Sequence, residues 1–147
     1  MEFDKDFLGK LFEQAVTNPR LRQNFDLRTS PADTSQRMLN ALLPGTKVPI
    51  HRHENTTETV ICLVGKLEEI IYEEVNEYIY EATSCCDDVI RQKSFKEVSR
   101  QILSPTEGKF GIQIPAGAWH TINVIEPSVI FEAKDGAYNE SGNTTGK

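Results

Sequence analysis

The sequence predicts an all-β protein, a double-sheet jelly roll preceded by one N-terminal α-helix. About eight short segments rich in β-branched and aromatic residues follow one another with turn signals between them. Helical periodicity is clear in one segment, at the N-terminus. At 147 residues, with 38% hydrophobic and 26% charged residues, the chain has the size and balance of a single globular domain.

The N-terminal helix is predicted over residues 4–17. Apolar residues recur there at steps of three and four, Asp4 is a suitable cap, and Pro19 stands just beyond the end. We expect residues 1–18 to form a helix whose apolar face packs on the barrel, with a partner helix or a membrane surface as the alternative contact. Residues 19–35 carry scattered polar side chains and are predicted to be mainly loop.

The strands are predicted to follow one another through short turns, which favours antiparallel pairing. Gly65-Lys66 is predicted as a turn between two strands, and Pro127 as the break between the last two. Residues 74–93 interrupt the pattern and are predicted to be an insertion into a domain that spans 19–138. Residues 139–147 are predicted to be a flexible tail. The predicted strands are 36–42, the histidine-bearing segment after Gly45, 59–64, 67–73, 94–103, 110–114, 122–125 and 129–131.

Charge and hydropathy narrow the expected partners. The formal charge of −6 argues against nucleic acid and an anionic membrane, because binding either one needs a basic face. The N-terminus has no basic segment followed by an apolar run, and no stretch approaches the ~20 apolar residues of a membrane span. The cytoplasm is therefore the expected compartment, in which Cys62, Cys85 and Cys86 are thiols. The expected partner is a small molecule.

A metal site is predicted by the only three histidines of the chain. His51 and His53 are two residues apart, so on a strand both imidazoles point to one side. Glu58 follows across a Thr-rich turn, and His120 comes after Pro115-x-Gly117. Three imidazoles and a carboxylate suit divalent iron, manganese, zinc, nickel or cobalt, with positions left open for a ligand. A closed structural zinc site is the alternative.

These residues resemble the two motifs of the cupin superfamily. The spacing Gly45-(five)-His51-x-His53-(four)-Glu58-(six)-Gly65 resembles the first motif, and Pro115-x-Gly117-x-x-His120 resembles the core of the second. The second motif departs from the pattern at its ends, where Lys109 replaces a glycine and Val124 an asparagine. The resemblance implies a double-stranded β-helix, the cupin jelly roll, with the metal held by His51, His53, Glu58 and His120.

A narrower similarity, to the WbuC-type cupin-fold metalloproteins, extends from Pro19 to Tyr138 and fails near 74–93. These proteins are associated with bacterial surface-polysaccharide gene clusters, and cupins often pair, which implies a homodimer. The similarity places Gln36, Arg37, Asn40 and Tyr138 at the substrate, although regular alternation lets only one of Arg37 and Asn40 face the cavity. Besides the histidine motifs, it is carried by Pro19-Arg20-Leu21-Arg22, Gln36-Arg37-Met38-Leu39-Asn40-Ala41-Leu42-x-Pro44-Gly45 and Gly136-x-Tyr138.

Two classes of function follow. The first is a metalloenzyme, an isomerase, lyase or dioxygenase acting on a polar sugar-derived metabolite. The second is a non-catalytic cupin that binds or senses such a ligand. Catalytic residues are not identified, because the metal takes all the histidines; a base has to be a carboxylate, Tyr138 or metal hydroxide.

Overall fold

The computed structural model describes residues 1–82, 87–136 and 143–145. These residues contain one α-helix and eight strands. The predicted all-β class with an N-terminal helix is confirmed. A 3-10 turn at Pro105–Glu107 joins the fifth strand to the sixth. The elements are α1 (Lys5–Thr17), β1 (Arg22–Asp26), β2 (Ser35–Leu42), β3 (His51–His53), β4 (Glu58–Ala82), β5 (Asp87–Leu103), β6 (Gly111–Ile114), β7 (Trp119–Asp135) and β8 (Asn143–Thr145).

The strands form two antiparallel sheets that share their long strands β4 and β7. The N-terminal part of β4 pairs with the C-terminal part of β7, which gives the order β1-β2-β7-β4-β6 in the first sheet. The C-terminal part of β4 pairs with the N-terminal part of β7, which gives β5-β4-β7-β3-β8 in the second. Both long strands therefore pass from one sheet to the other, and the inner faces of the two sheets enclose a common interior.

Gly65 and Pro127 mark the place where β4 and β7 bend between the sheets. The register of this pair shifts three times over residues 62–67. Gly65 has a φ of +96°, and a Cβ at this position would collide with the carbonyl oxygen of Pro127. The Ser128 hydroxyl accepts a hydrogen bond from the Lys66 amide at 2.9 Å. The turn predicted at Gly65-Lys66 and the break predicted at Pro127 are therefore wrong, because pairing resumes beyond the bend.

The helix covers the outer face of the first sheet. Its predicted cap is confirmed, since the Asp4 carboxylate accepts a hydrogen bond from the Phe7 amide at 2.9 Å. No helix within the described ranges is long and apolar enough to cross a membrane. The residues buried between helix and sheet are Leu11, Ala15, Leu39, Ala41 and Val129.

Strand β1 lies within the segment predicted to be loop. Its sequence, Arg-Gln-Asn-Phe-Asp, has Phe25 as its single apolar residue, so the alternation that signals a strand is absent. It pairs with β2 over five residues and forms the edge of the first sheet. An edge strand needs less apolar surface than a central one, which explains why the sequence pattern misses it.

The described residues of the segment predicted as an insertion, 74–82 and 87–93, extend the β4–β5 hairpin. The register is continuous from Tyr72 to the pair formed by Ala82 and Asp87. Cys62 is a buried free thiol, whereas Cys85 and Cys86 lie outside the described residues. At the other edge β8, the described part of the tail predicted over 139–147, pairs with β3. Pairing with β8 covers the edge of the strand that carries His51 and His53.

Candidate metal centre

The three histidines converge on one wall of the interior. His51 and His53 extend from β3, and β7 brings His120 opposite His51 in the antiparallel register. The ring centroids are 4.2 Å apart for His51 and His120, 5.2 Å for His51 and His53, and 5.5 Å for His53 and His120. One nitrogen of each ring lies within 4.8 Å of a nitrogen of each of the other two. A single ion can therefore contact all three rings.

Backbone carbonyls fix the tautomers of two of these imidazoles. Nδ1 of His51 is 2.9 Å from the Pro49 carbonyl oxygen, and Nδ1 of His120 is 2.9 Å from that of Ala118. Because a carbonyl oxygen only accepts, each Nδ1 carries the proton and each Nε2 keeps its lone pair. In His120 this Nε2 is buried and has no hydrogen-bond partner among the described residues. A buried lone pair without a donor fits a metal ion.

Burial keeps these two imidazoles neutral. Burial, together with the charge of His120, lowers the pKa of His51 to about 4. The pKa of His120 also lies below its ordinary value, chiefly because of burial. Neutral imidazole is the form that binds a metal, so both rings are ready to ligate at neutral pH.

Glu58 begins β4 and contacts His53. Its Oε2 lies 2.5 Å from Nε2 of His53, and both side chains are less than a tenth exposed. Burial alone would raise the pKa of Glu58, but the hydrogen bond from His53 and the nearby imidazoles lower it, so the carboxylate stays ionised. Nδ1 of His53 is buried and has no partner in the described part of the chain. If His53 were to bind a metal through Nε2, it would do so as the tautomer with its proton on Nδ1.

A second carboxyl group, Glu132 on β7, lines the same cavity as Glu58. Burial and the negative charge of Glu58 raise the pKa of Glu132 to about 8. At neutral pH the Glu132 carboxyl is therefore protonated.

The histidines open onto a cavity of about 450 Å³. Gln36 and Asn40 line it from β2. Arg37 lies on the opposite face of that strand, where its guanidinium donates to the Asp33 carboxylate at 2.6 Å. Of Arg37 and Asn40, it is therefore Asn40 that faces the cavity. Tyr138 lies outside the described residues. The other charged lining residues are Arg20, Arg22, Glu58, Glu69 and Glu132.

Four of these charged residues are functional candidates that sequence reasoning did not single out. Glu69 carries a usable signal, because alternation places it on the inward face of β4 between the apolar residues Leu67 and Ile71. Acidic residues are rarely buried, so an acid between two inward-facing apolar residues departs from the usual pattern of a core strand. Arg20 and Arg22 carry no such signal, because they fall in the segment predicted to be loop. Glu132 follows the apolar run at the end of β7.

The donor set as a whole fits a divalent transition metal. It offers three imidazoles, two of them held as neutral tautomers, and an ionised carboxylate beside them. The cavity next to the rings provides space for a further ligand. These donors suit several first-row metals equally, so the geometry does not choose among iron, manganese, zinc, nickel and cobalt.

Comparisons with solved structures agree with this fold. The capsular polysaccharide assembling protein CapF from Staphylococcus aureus matches with a TM-score of 0.54 and 17% identity over 88% of this chain, which spans only 32% of CapF. KdgF from Halomonas sp. matches with a TM-score of 0.52 and 14% identity over 85% of this chain and 88% of KdgF. The cupin-2 domain protein Rru_A2000 from Rhodospirillum rubrum matches with a TM-score of 0.52 and 12% identity over 86% of this chain and 66% of its own.

Sequence comparison gives a family but no curated relative. No curated protein sequence matches the chain. One family model, described as Domain of unknown function (DUF6016), matches residues 3–83, more than half of the 147 residues. The chain therefore has the cupin jelly-roll fold and belongs to the DUF6016 family.

Proposed function

We propose that this protein binds one divalent transition metal through His51, His53, Glu58 and His120, and that it acts on or binds a small polar, sugar-derived metabolite beside that metal. The observation that carries the proposal is the convergence of three imidazoles, with the buried Nε2 of His120 left without a hydrogen-bond partner among the described residues. The adjoining cavity of about 450 Å³ supports a small-molecule ligand.

When bound, the metal supplies polarisation of a carbonyl or hydroxyl group, or a lowered pKa for a bound water. The chain's own residues have separate tasks. The carbonyl groups of Pro49 and Ala118 keep Nε2 of two histidines available. Ile122 contributes an apolar wall that limits water around the rings.

The proposed setting is surface-polysaccharide metabolism in the bacterial cytoplasm. The WbuC-type resemblance between Pro19 and Tyr138 supports this setting, as does the fold likeness to a protein described as capsular polysaccharide assembling. The placement of Gln36 and Asn40 on the cavity wall supports their proposed role as substrate contacts.

We also propose a homodimer. Ile61, Leu63 and Phe110 are apolar side chains that are 37%, 40% and 60% exposed. They lie near one another, since the Cys62 amide donates to the Phe110 carbonyl oxygen at 2.7 Å. A second copy that covers this surface removes apolar area from water. Light scattering over a range of concentrations measures the mass, and a monomer throughout contradicts the dimer.

A non-catalytic cupin that binds or senses the same ligand is the second candidate. The observation that favours an enzyme instead is Glu69, a buried carboxyl on the cavity wall that is not one of the proposed ligands. Such a group can exchange a proton with a substrate. Turnover of a panel of sugar acids and nucleotide sugars by protein loaded with iron(II) or manganese distinguishes the two classes, and binding without turnover favours the sensor.

Elemental analysis of purified protein tests the metal. We expect wild-type protein to carry about one equivalent of a transition metal, and His51→Ala and His120→Ala each to lose most of it while they keep the fold, because each removes one of few ligands. Lys96→Ala, at an exposed position on β5, is the control and keeps its metal. Full occupancy in either histidine variant removes that residue from the ligand set. Wild-type protein that takes up no transition metal contradicts the proposal as a whole.

A further inference from the structure

Three acceptor oxygens on the cavity wall are buried and unpartnered. They are Oε1 of Gln36, Oδ1 of Asn40 and Oε2 of Glu69, none of which has a hydrogen-bond partner within the described ranges. Gln36 is 6% exposed and Glu69 is 2% exposed. A buried polar atom without a partner costs roughly 1–3 kcal/mol. Several acceptors kept at that cost on one wall indicate a ligand rich in hydrogen-bond donors.

Glu69 stands close to the histidines on the same face of the second sheet. It pairs with Ile122 across β4 and β7, and two residues further on Ile71 pairs with His120. Diagonal neighbours of this kind are about 7–8 Å apart, which leaves room for ligand atoms between the carboxyl and the imidazole. A ligand seated at the histidines is therefore within reach of Glu69.

The burial of Glu69 makes this wall of the cavity compatible with an anion. Burial raises the pKa of Glu69 well above its ordinary value, with smaller contributions from the neighbouring carboxyl groups of Glu58 and Glu132. A neutral carboxyl both accepts a hydrogen bond from a hydroxyl group and donates one to it.

Two arginines line the same cavity. Arg20 and Arg22 line it from the start of β1 and the turn before it. The segment between β2 and β3 anchors both residues, since the Thr46 hydroxyl donates to the Arg20 carbonyl oxygen at 2.6 Å and Nη1 of Arg22 donates to the Lys47 carbonyl oxygen at 2.8 Å. A guanidinium group offers five donors in a planar fork that matches carboxylate and phosphate.

We infer that the cavity takes a polyhydroxylated small anion, a sugar acid or a sugar phosphate. Its hydroxyl groups meet Glu69, Asn40 and Gln36, and its anionic group meets Arg20 and Arg22. This inference rests on the proposed function, since it names the ligand class of the same site. An acceptor-rich wall selects for hydroxyl groups, and the two arginines select for negative charge.

Calorimetric titration of the protein as purified tests the ligand class. The probes are D-gluconate, sorbitol 6-phosphate, sorbitol and hexanoate, which separate the hydroxyl groups from the charge and the carboxylate from the phosphate. We expect gluconate or sorbitol 6-phosphate to bind at least about 10-fold more tightly than sorbitol and hexanoate, because each lacks one of the two recognised features. The tighter of the two anions identifies the anionic group. Equal affinity for sorbitol contradicts the anion contact, and equal affinity for hexanoate contradicts the hydroxyl contacts. Absence of binding by both anions overturns the inference.

Variants test the residues. Glu69→Met keeps the size of the side chain and removes both oxygens, so we expect an affinity loss of about 10-fold for the anion that binds. Glu69→Gln keeps an acceptor and a donor and is expected to keep the wild-type affinity. Arg22→Met is expected to reduce anion affinity by about 10-fold or more and leave sorbitol binding unchanged. Glu73→Gln, at an exposed position on the same strand, is the control for Glu69.

The outcomes separate this inference from the proposed function. Metal content is measured on every sample by elemental analysis. A Glu69→Met variant that holds metal and binds the anion with wild-type affinity overturns the role of Glu69 and leaves the metal site standing. Wild-type protein that binds the anion without a metal contradicts the proposed function and leaves the ligand class standing. Because Met is apolar, Glu69→Met is expected to fold.

Discussion

Leu67 and Glu69 lie two residues apart on the same inward face of β4, yet one belongs to the apolar core and the other to the cavity wall. Both are buried, with 0% and 2% exposure. Burying a leucine stabilises a fold by roughly 1.5–3 kcal/mol, whereas burying an unpaired polar group costs about 1–3 kcal/mol. The buried apolar residues near the Gly65 bend therefore stabilise the fold, whereas the buried polar residues near the histidines lower its stability. A cost of this kind points to function.

The largest effect is expected from Gly65→Ala, because Gly65 lies at the bend that both regions depend on. A Cβ collides with the Pro127 carbonyl oxygen, and the positive φ adds strain. We expect a loss of about 3 kcal/mol or more in the free energy of unfolding, together with loss of metal. Urea unfolding and elemental analysis measure the two. Gly9→Ala, with no neighbouring atom within 4 Å in the middle of α1, is the matched control and is expected to stabilise. A Gly65→Ala variant that is as stable as wild type would contradict the close approach of Gly65 to Pro127 at the bend.

A smaller effect, confined to the core, is expected from Leu67→Ala. The side chain is 0% exposed within the apolar cluster, so the loss should be about 2–5 kcal/mol with metal content unchanged. Ile79→Ala is the matched control, an aliphatic residue of the same size on the same strand that is 39% exposed, and should cost less than about 1 kcal/mol. The contrast fails if Leu67→Ala releases the metal from protein that is still folded.

The smallest effect, and one of opposite sign, is expected from Glu69→Gln. Burial raises the pKa of Glu69 in the folded state above the ordinary value of 4.5. Its contribution to stability is therefore complete below that value and is lost as pH rises through the raised pKa. Glutamine does not titrate. The free energy of unfolding of Glu69→Gln should therefore fall less than that of wild type as the pH rises from acid to neutral.

Urea unfolding at a series of pH values, in the presence of a chelator, gives both stability curves. Glu73→Gln, at an exposed position, should follow the wild-type curve. Parallel curves for wild type and Glu69→Gln would show that Glu69 is not held in its protonated form by burial.

Local patterns predicted much of the fold. The steps of three and four in the first residues, with Asp4 before them, predicted α1 and its cap, because helix ends are determined by neighbouring side chains. Alternation of polar and apolar residues predicted the central strands, because successive side chains of a strand point to opposite faces. The bend at Gly65 was read as a turn, since glycine marks both, and only the pairing of β4 with β7 across it tells them apart. Strand β1 was missed because an edge position demands little apolar surface.

The candidate site divides in the same way. The two-residue spacing of His51 and His53 predicts a shared face from β geometry alone. Alternation also allowed just one of Arg37 and Asn40 to face inward but did not say which. The pairing of β2 with β7 places Gln36 and Asn40 on the cavity side of the sheet. Arg37 lies on the other side and donates a hydrogen bond to Asp33.

By itself the sequence determined the fold class, the α1 helix and the set of histidines, because these depend on period and spacing along a few neighbouring residues. The tertiary structure alone decided that Glu69, Glu132 and the two arginines share a cavity with those histidines. These residues come from three strands and a turn that are far apart in the chain, and only the packing of one sheet on the other brings their side chains to one place. Burial and the charged neighbours of each acid, which both follow from that packing, then decide which of the acids keep their protons.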